Sequence, residues 1–131
     1  MLPLIRKVDC IRVRVPDLDG GLAFYGAKLG QALLWRSATA AGLAMPDSEA
    51  EIVIHTEPTP EDVNLSVDSV DDAIAIVIAA GGRVFAGPFD IAIGRCVVVA
   101  DPFGNALTLL DTSKGRFATD ADGNVIGVID A

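Results

Sequence analysis

The chain contains the same strand-and-helix pattern twice, and this internal repeat most constrains what it can fold into. An alternating apolar–polar run at 11–15 leads into an apolar helical stretch that ends at Gly30, and a run at 63–67 leads into one that ends at Gly82. Val15 and Val67 are 52 positions apart (67 − 15), and so are Gly30 and Gly82 (82 − 30). Two copies of one unit in a short chain predict a pseudo-twofold architecture. We expect the working site in the groove between the copies.

The composition is that of a globular protein. With 131 residues, of which 51% are hydrophobic and 21% charged, the chain can bury a core as a single domain spanning 1–131. Its formal net charge of −8 would repel a phosphate backbone, so we expect no nucleic-acid partner. No apolar run approaches the roughly 20 residues of a membrane span. The N-terminus also lacks a signal-peptide pattern, so we expect a cytoplasmic protein with no membrane partner.

Strand, cap and turn signals divide both copies in the same way, into a strand, a helix and three more strands. Asp17 is a predicted N-cap for a helix that spans the apolar positions from Leu18 to Leu29, and Asp68 or Ser69 is the predicted N-cap of the second helix. The strand after the second helix is predicted over 83–86. The Pro-rich segment 57–61 is the predicted linker between the copies.

The predicted fold class is therefore α+β. It comprises two tandem βαβββ modules that form a curved mixed sheet around a groove, with a C-terminal hairpin. Module one covers about 6–57, module two about 61–112 and the hairpin about 113–131. The hairpin strands are predicted over 116–119 and 125–129.

Alternation along the strands sorts the polar side chains onto one face of each module. In module one this face carries Cys10, Arg12 and Arg14. In module two the matching positions are Asp62, Asn64 and Ser66. Polar residues at matching positions of both copies indicate that this face lines the groove.

In its ordered motifs the chain resembles the vicinal oxygen chelate superfamily, which includes glyoxalases, bleomycin-resistance proteins and ring-cleaving dioxygenases. The resemblance covers residues 8 to 112. The matching segments are Val13–Asp19, Phe24-Tyr25, Leu29-Gly30, Glu51–Glu57 and Asp101–Asn105. It implies the same paired-module fold and a small-molecule site, whereas a shared fold does not fix the chemistry.

The resemblance also implies where a divalent metal would be held. The positions that match the family's metal ligands are Cys10, Asp62, Thr108, and either Glu51 or His55. A catalytic site needs about three firm protein ligands and an open position, but Thr108 is a poor ligand and Cys10 a soft one. We therefore favour no metal cofactor, and a divalent metal is the alternative.

Two interpretations of the polar face compete. In the functional one, a small polar or anionic ligand binds Arg12, Arg14, Trp35, Asn64, Ser66 and Thr108, with Phe89 and Phe103 as further apolar walls. In the structural one, the arginines pair with Glu51 and Asp62 in an internal salt-bridge network, and this interpretation is favoured for Arg12. His55, the only histidine, precedes the linker and is predicted to be partly exposed and without a role. Cys10 and Cys96 are predicted to be buried free thiols.

The favoured hypothesis is a glyoxalase/bleomycin-resistance-like protein that is metal-free and binds a small organic molecule in the groove. The resemblance also implies a homodimer. One alternative is a divalent-metal-dependent lyase, isomerase or dioxygenase of the same superfamily. The other is a structural dimer with no ligand. No catalytic residue is assigned.

Overall fold

The computed structural model describes residues 3–59 and 62–130. Its strands in chain order are β1 (Lys7–Arg14), β2 (Leu33–Arg36), β3 (Ala40–Met45), β4 (Ser48–His55), β5 (Asp62–Ser66), β6 (Arg83–Ile91), β7 (Gly94–Ala100), β8 (Ala106–Leu110), β9 (Arg116–Thr119) and β10 (Val125–Ile129). Its helices are α1 (Leu18–Gly21), which continues as a π-helical segment (Leu22–Lys28), and α2 (Val70–Ala79). This order confirms the two βαβββ modules and the C-terminal hairpin. Positions 60 and 61 of the predicted linker lie outside the described residues.

The two modules pair their strands in the same way. The order is β2-β3-β4-β1 in module one and β5-β8-β7-β6 in module two. In each module the first and last strands are parallel and the other neighbours are antiparallel. A parallel pair cannot be joined by a tight hairpin, so the helix and the two middle strands form the connection. The pairing confirms a mixed sheet.

The described chain divides into two compact units. The first unit consists of residues 9–59, 62–63 and 117–127, and the second consists of residues 3–8, 64–116 and 128–130. No helix in the described part of the chain is both long and apolar enough to cross a bilayer.

The core of the first unit packs its helical segments against one face of its strands. Its buried members are Val15, Leu18, Ala41, Leu43 and Ile54, with Leu22, Tyr25 and Ile52 packed against them. Burying each large aliphatic side chain contributes about 1.5–3 kcal/mol. Because side chains alternate along a strand, Val53 and His55, on either side of Ile54, lie on the opposite face of β4. That opposite face carries the candidate site.

The core of the second unit is built around α2. Its buried members are Val67, Val70, Ala73, Val97, Val99 and Leu109. The helix begins where Ser69 Oγ accepts a hydrogen bond from the Asp72 N–H at 3.2 Å, which confirms Ser69 as the N-cap. Its last residue is Ala79 and its C-cap is Ala80, and the next residue, Gly81, has a φ of +103°, a left-handed conformation that glycine adopts without strain.

The helix of module one differs from the prediction. Asp17 is its N-cap, since its Oδ1 accepts from the Gly20 N–H at 2.6 Å. However, the α-helix covers only four residues and gives way to a π-helical segment, in which the Leu29 N–H donates to the Phe24 carbonyl five residues back. Gly20 and Gly21 have low helix propensity, which explains why a regular α-helix does not continue to Leu29.

Strand β6 is longer than predicted. It continues from Ala86 through Gly87 and Pro88 to Ile91, with irregular pairing to β7 around these residues. Proline lacks an N–H and is tolerated in a strand at the edge of a sheet. In its module β6 is the last strand in the order, so Pro88 does not end it.

Candidate functional site

The parallel pairing of β1 with β4 brings the polar residues of module one together. Cys10 lies beside Glu51, Arg12 beside Val53, and Arg14 beside His55. Register partners on neighbouring strands point to the same side of a sheet. We call this surface the polar face of the first unit, and define it by Cys10, Arg12, Arg14, Trp35, Glu51, Val53 and His55. It lies opposite the core that packs on the helices.

His55 is the main correction to the sequence analysis, because it is buried with 0% of its surface exposed. Neither ring nitrogen makes a hydrogen bond of standard geometry to a described residue. Burial lowers the pKa of His55, and the charges of Arg12 and Arg14 lower it further, against the opposing effects of the Glu57 carboxylate and backbone. The imidazole is therefore neutral at pH 7, with one donor and one acceptor to offer.

Arg12 forms an ion pair, but its partner is not the one predicted. Its Nη2 lies 3.1 Å from Oε2 of Glu57, and the two side chains are 24% and 44% exposed. The predicted partners were Glu51 and Asp62. The partner of Glu51 is instead Trp35, and Glu57 reaches Arg12 because it follows β4 by only two residues.

Arg14, in contrast, is exposed, and no carboxylate in residues 3–59 or 62–130 pairs with it. It lies beside His55 in the strand register. The polar face thus carries two guanidinium groups, one ion-paired and one without a carboxylate partner in the part of the chain that the structure describes. The sequence identified both arginines and favoured a salt bridge for Arg12, but it did not indicate Glu57 as the partner.

Trp35 packs within the first unit. Its Nε1 donates to Glu51 Oε1 at 2.6 Å, and its ring lies 4.8 Å from that of Phe117 on β9. Burial raises the pKa of Glu51, while the bond from Trp35 acts in the opposite direction. A side chain at Gly42 would collide with the Trp35 indole and the Glu51 carboxylate. Gly42 and Phe117 were not predicted as part of the site, although the absence of a side chain opposite the only tryptophan could have indicated such packing.

Cys10 is a neutral thiol. It is buried against Ala40, Val53 and Trp35, and burial raises its pKa to about 12, with Asp9 contributing in the same direction. At physiological pH the thiolate, which is the form that binds metals and acts as a nucleophile, is scarcely populated. Cys96 is also a free thiol but is only partly buried.

The second unit has a polar face of its own. Asn64 on β5 pairs in register with Thr108 on β8, and Ser66 pairs with Leu110. All three polar residues are partly buried. Oδ1 of Asn64 is buried and makes no hydrogen bond to a described residue. Their role as ligand contacts stays a prediction.

The predicted aromatic walls are less enclosed. Phe89 on β6 is half-exposed, and Phe103 in the turn between β7 and β8 is 86% exposed. In that turn Oδ1 of Asp101 accepts from the backbone N–H groups of Phe103 and Asn105. The turn therefore holds Phe103 at its tip, and the structure gives Phe103 no enclosing contact.

The donor chemistry of the polar face does not fit a divalent metal. Cys10 is protonated, Glu51 is held by Trp35, and His55 lies close enough to two arginines for their charges to lower its pKa. Cationic neighbours disfavour a bound cation by Coulomb repulsion. Among the residues that the structure describes, no three histidine, cysteine, aspartate or glutamate side chains cluster in an arrangement that could hold an ion.

Solved structures of known proteins have the same fold. Methylmalonyl-CoA epimerase from Mycobacterium tuberculosis is 20% identical, with a TM-score of 0.70 over 86% of this chain and 93% of that one. The Streptomyces coelicolor methylmalonyl-CoA epimerase, solved with 2-nitronate-propionyl-CoA, is 17% identical, with a TM-score of 0.67 over 83% and 99%. Homoprotocatechuate 2,3-dioxygenase from Brevibacterium fuscum is 22% identical, with a TM-score of 0.62 over 84% of this chain and 37% of that one. At these identities the likeness shows the fold alone.

The sequence itself also matches a family model. No curated protein sequence matches the chain significantly. The model for the Glyoxalase/Bleomycin resistance protein/Dioxygenase superfamily, in contrast, matches residues 7–109, which include β1 through most of β8. The resemblance inferred from the motifs is confirmed, and the chain belongs to this superfamily.

Proposed function

We propose that this protein binds a small organic molecule without a metal ion, and that the polar face of the first unit is part of the binding site. The observation that carries the proposal is the group formed by Arg12, Arg14 and His55. These residues supply cationic and hydrogen-bonding groups on a face that the core does not use. Polar groups that converge beside apolar side chains are typical of small-molecule sites.

The charge of the whole chain supports this proposal. The formal net charge is −8, yet two arginines at alternate positions of β1 share a face with a histidine of β4. Arg14 has no carboxylate partner among the described residues. A guanidinium group offers several N–H donors in a planar arrangement that suits carboxylates, phosphates and flat polar groups. On an acidic protein, an unpaired arginine at this position favours a ligand contact over a purely structural role.

We also propose that Asn64, Ser66 and Thr108 contact a ligand on the polar face of the second unit. The unsatisfied Oδ1 of Asn64 supports its assignment, because buried polar atoms usually have a partner. Trp35 is proposed as an apolar wall whose orientation is fixed by Phe117 and Glu51.

We also propose that the protein forms a homodimer. Large apolar side chains are exposed in both units, among them Phe24, Leu34, Phe85 and Phe89. Exposed apolar surface of this kind is typical of protein interfaces. Multi-angle light scattering should give twice the chain mass, and a monomeric mass at micromolar concentration would contradict this part of the proposal.

Binding can be tested by a thermal-shift screen of small organic molecules on the metal-free protein. Compounds that raise the melting temperature should lose their effect in Arg14→Gln and keep it in Arg36→Gln. Arg36 is the matched control because it lies in the same unit but pairs with Asp19 at 3.0 Å. A screen without any hit would favour the structural dimer, and hits that appear only after a divalent metal is added would favour the metal-dependent enzyme.

A further inference from the structure

We infer that the polar face of the first unit contains a subsite for the carboxylate of a small organic acid, and that the side chain of Glu57 occupies this subsite in the unliganded protein. The inference rests on the proposed function and names its ligand class. Three features of the first unit carry it: the Arg12–Glu57 pair, the unsatisfied His55 ring and the unpaired Arg14.

The Arg12–Glu57 contact leaves much of the arginine's bonding capacity unused. One hydrogen bond joins Nη2 of Arg12 to Oε2 of Glu57, while Oε1 accepts only a long bond of 3.5 Å from Thr39 Oγ1. A guanidinium group has five N–H donors and prefers a carboxylate that binds through both oxygens. Glu57 is half-exposed and lies two residues after the end of β4, so an incoming acid can replace it without disturbing the core.

His55 provides the second and independent observation. Its ring is fully buried beside this ion pair, and neither nitrogen makes a standard hydrogen bond to a described residue. A buried polar group without a partner costs about 1–3 kcal/mol and is rarely left so in native proteins. The Glu57 carboxylate binds Arg12 without reaching the His55 ring, whereas a free acid, which is not tethered to β4, can bind Arg12 and also accept from the imidazole N–H.

Arg14 gives the subsite its specificity for anions. It lies beside His55 in the strand register and has no carboxylate partner among the described residues. When Glu57 is displaced, an acid ligand would face two guanidinium groups. A neutral ligand would leave both guanidinium charges without compensation, because the charge of Glu57 would have moved into solvent.

Calorimetric titration at pH 7.5 with matched acids and amides tests this inference. The probes are acetate, succinate and benzoate, against acetamide, succinamide and benzamide. We expect an acid to bind the wild-type protein while its amide does not. Glu57→Gln removes the internal competitor and should tighten acid binding roughly two- to fivefold, the range expected for an exposed ion pair. Arg12→Gln should weaken it about tenfold or more.

The control variant is Asp19→Asn, which removes the same charge and also breaks an exposed arginine–carboxylate pair of the first unit. It should leave acid binding unchanged. Equal binding of acids and amides, or weaker acid binding in Glu57→Gln, would overturn the inference and leave the proposed function standing. The inference would also be overturned if no acid bound either the wild-type protein or Glu57→Gln. The proposed function would be overturned as well only if the thermal-shift screen of the wider compound set gave no hit.

Discussion

Two polar or charged side chains among the described residues are almost completely buried, and they differ in how their polar atoms are satisfied. The carboxylate of Asp111 accepts hydrogen bonds from the backbone N–H groups of Val70, Arg95 and Ser113 and from the Ser113 hydroxyl. The ring nitrogens of His55 make no hydrogen bond of standard geometry to a described residue. Asp111 therefore stabilises the fold, whereas the ring nitrogens of His55 contribute no such hydrogen bonds to it.

Asp111→Asn should destabilise the protein by about 3 kcal/mol. Burial alone would raise the pKa of Asp111, but its hydrogen bonds outweigh this effect and hold the pKa below the usual value, so the carboxylate is charged. Bonds to a charged acceptor contribute about 1.5–3 kcal/mol each, and an amide can replace only part of them. Urea unfolding at pH 7 measures the loss. Asp90→Asn, at an exposed carboxylate, is the control and should change stability little.

The stability of the wild-type protein should fall as the pH drops below about 6.5, because of His55. The unfolded chain has an ordinary histidine pKa of 6.5, and the folded-state pKa is lower. The contribution of neutral His55 to the unfolding free energy is therefore fully present above pH 6.5. It declines as the pH falls from the unfolded-state pKa to the folded-state pKa of His55, because in this range only the unfolded state takes up a proton.

His55 is the only histidine, so a histidine contribution to the pH dependence of stability can be assigned to this one residue. Urea unfolding at intervals from pH 8 to pH 5 gives the slope of the unfolding free energy. The slope should be smaller in His55→Gln, whatever the absolute stability of that variant. Identical slopes in the two proteins would contradict the buried, neutral state of His55.

At the scale of elements, periodicity and turn chemistry predicted the strands well but not the first helix. The hairpin strands β9 and β10 lie at the predicted positions. Asp101 and Asp120 close turns of the same form, in which the aspartate accepts from the backbone and the side chain of an asparagine four residues later. Such local hydrogen bonds are encoded in sequence. The switch from α to π geometry after Gly21 depends on packing and was not predicted.

Gly42→Ala should destabilise the first unit by about 1–3 kcal/mol, the usual cost of inserting a group into a packed site. The added methyl group would collide with the Trp35 indole and separate it from Glu51. Trp35 is the only tryptophan, so its fluorescence should shift to longer wavelength as the ring becomes more hydrated. Gly127→Ala, where a Cβ would meet no atom within 4 Å, is the matched control. A spectrum unchanged in Gly42→Ala would contradict this packing.

At the scale of the whole molecule, the repeat predicted more than any single motif did. The 52-residue offset predicted two modules of the same strand and helix order, and the structure has them. The motifs predicted the superfamily, which the family model confirms. The partners of the site residues were not predictable in the same way. Arg12 pairs with Glu57 and not with Glu51 because the path of the chain after β4 decides which carboxylate is near. Strand alternation predicts which face of the sheet a side chain lies on. Which side chain it contacts there depends on tertiary packing, which the alternation does not predict.

The central claim is that this member of the superfamily keeps the fold but has a polar face that suits an organic anion and not a metal ion. Elemental analysis tests it most directly, on protein purified without chelator and then dialysed against zinc, manganese, iron and nickel. The account predicts metal far below one ion per chain, with no difference between wild type and a Cys10→Ala, Glu51→Gln double variant. A stoichiometric ion that is lost in the double variant would contradict it.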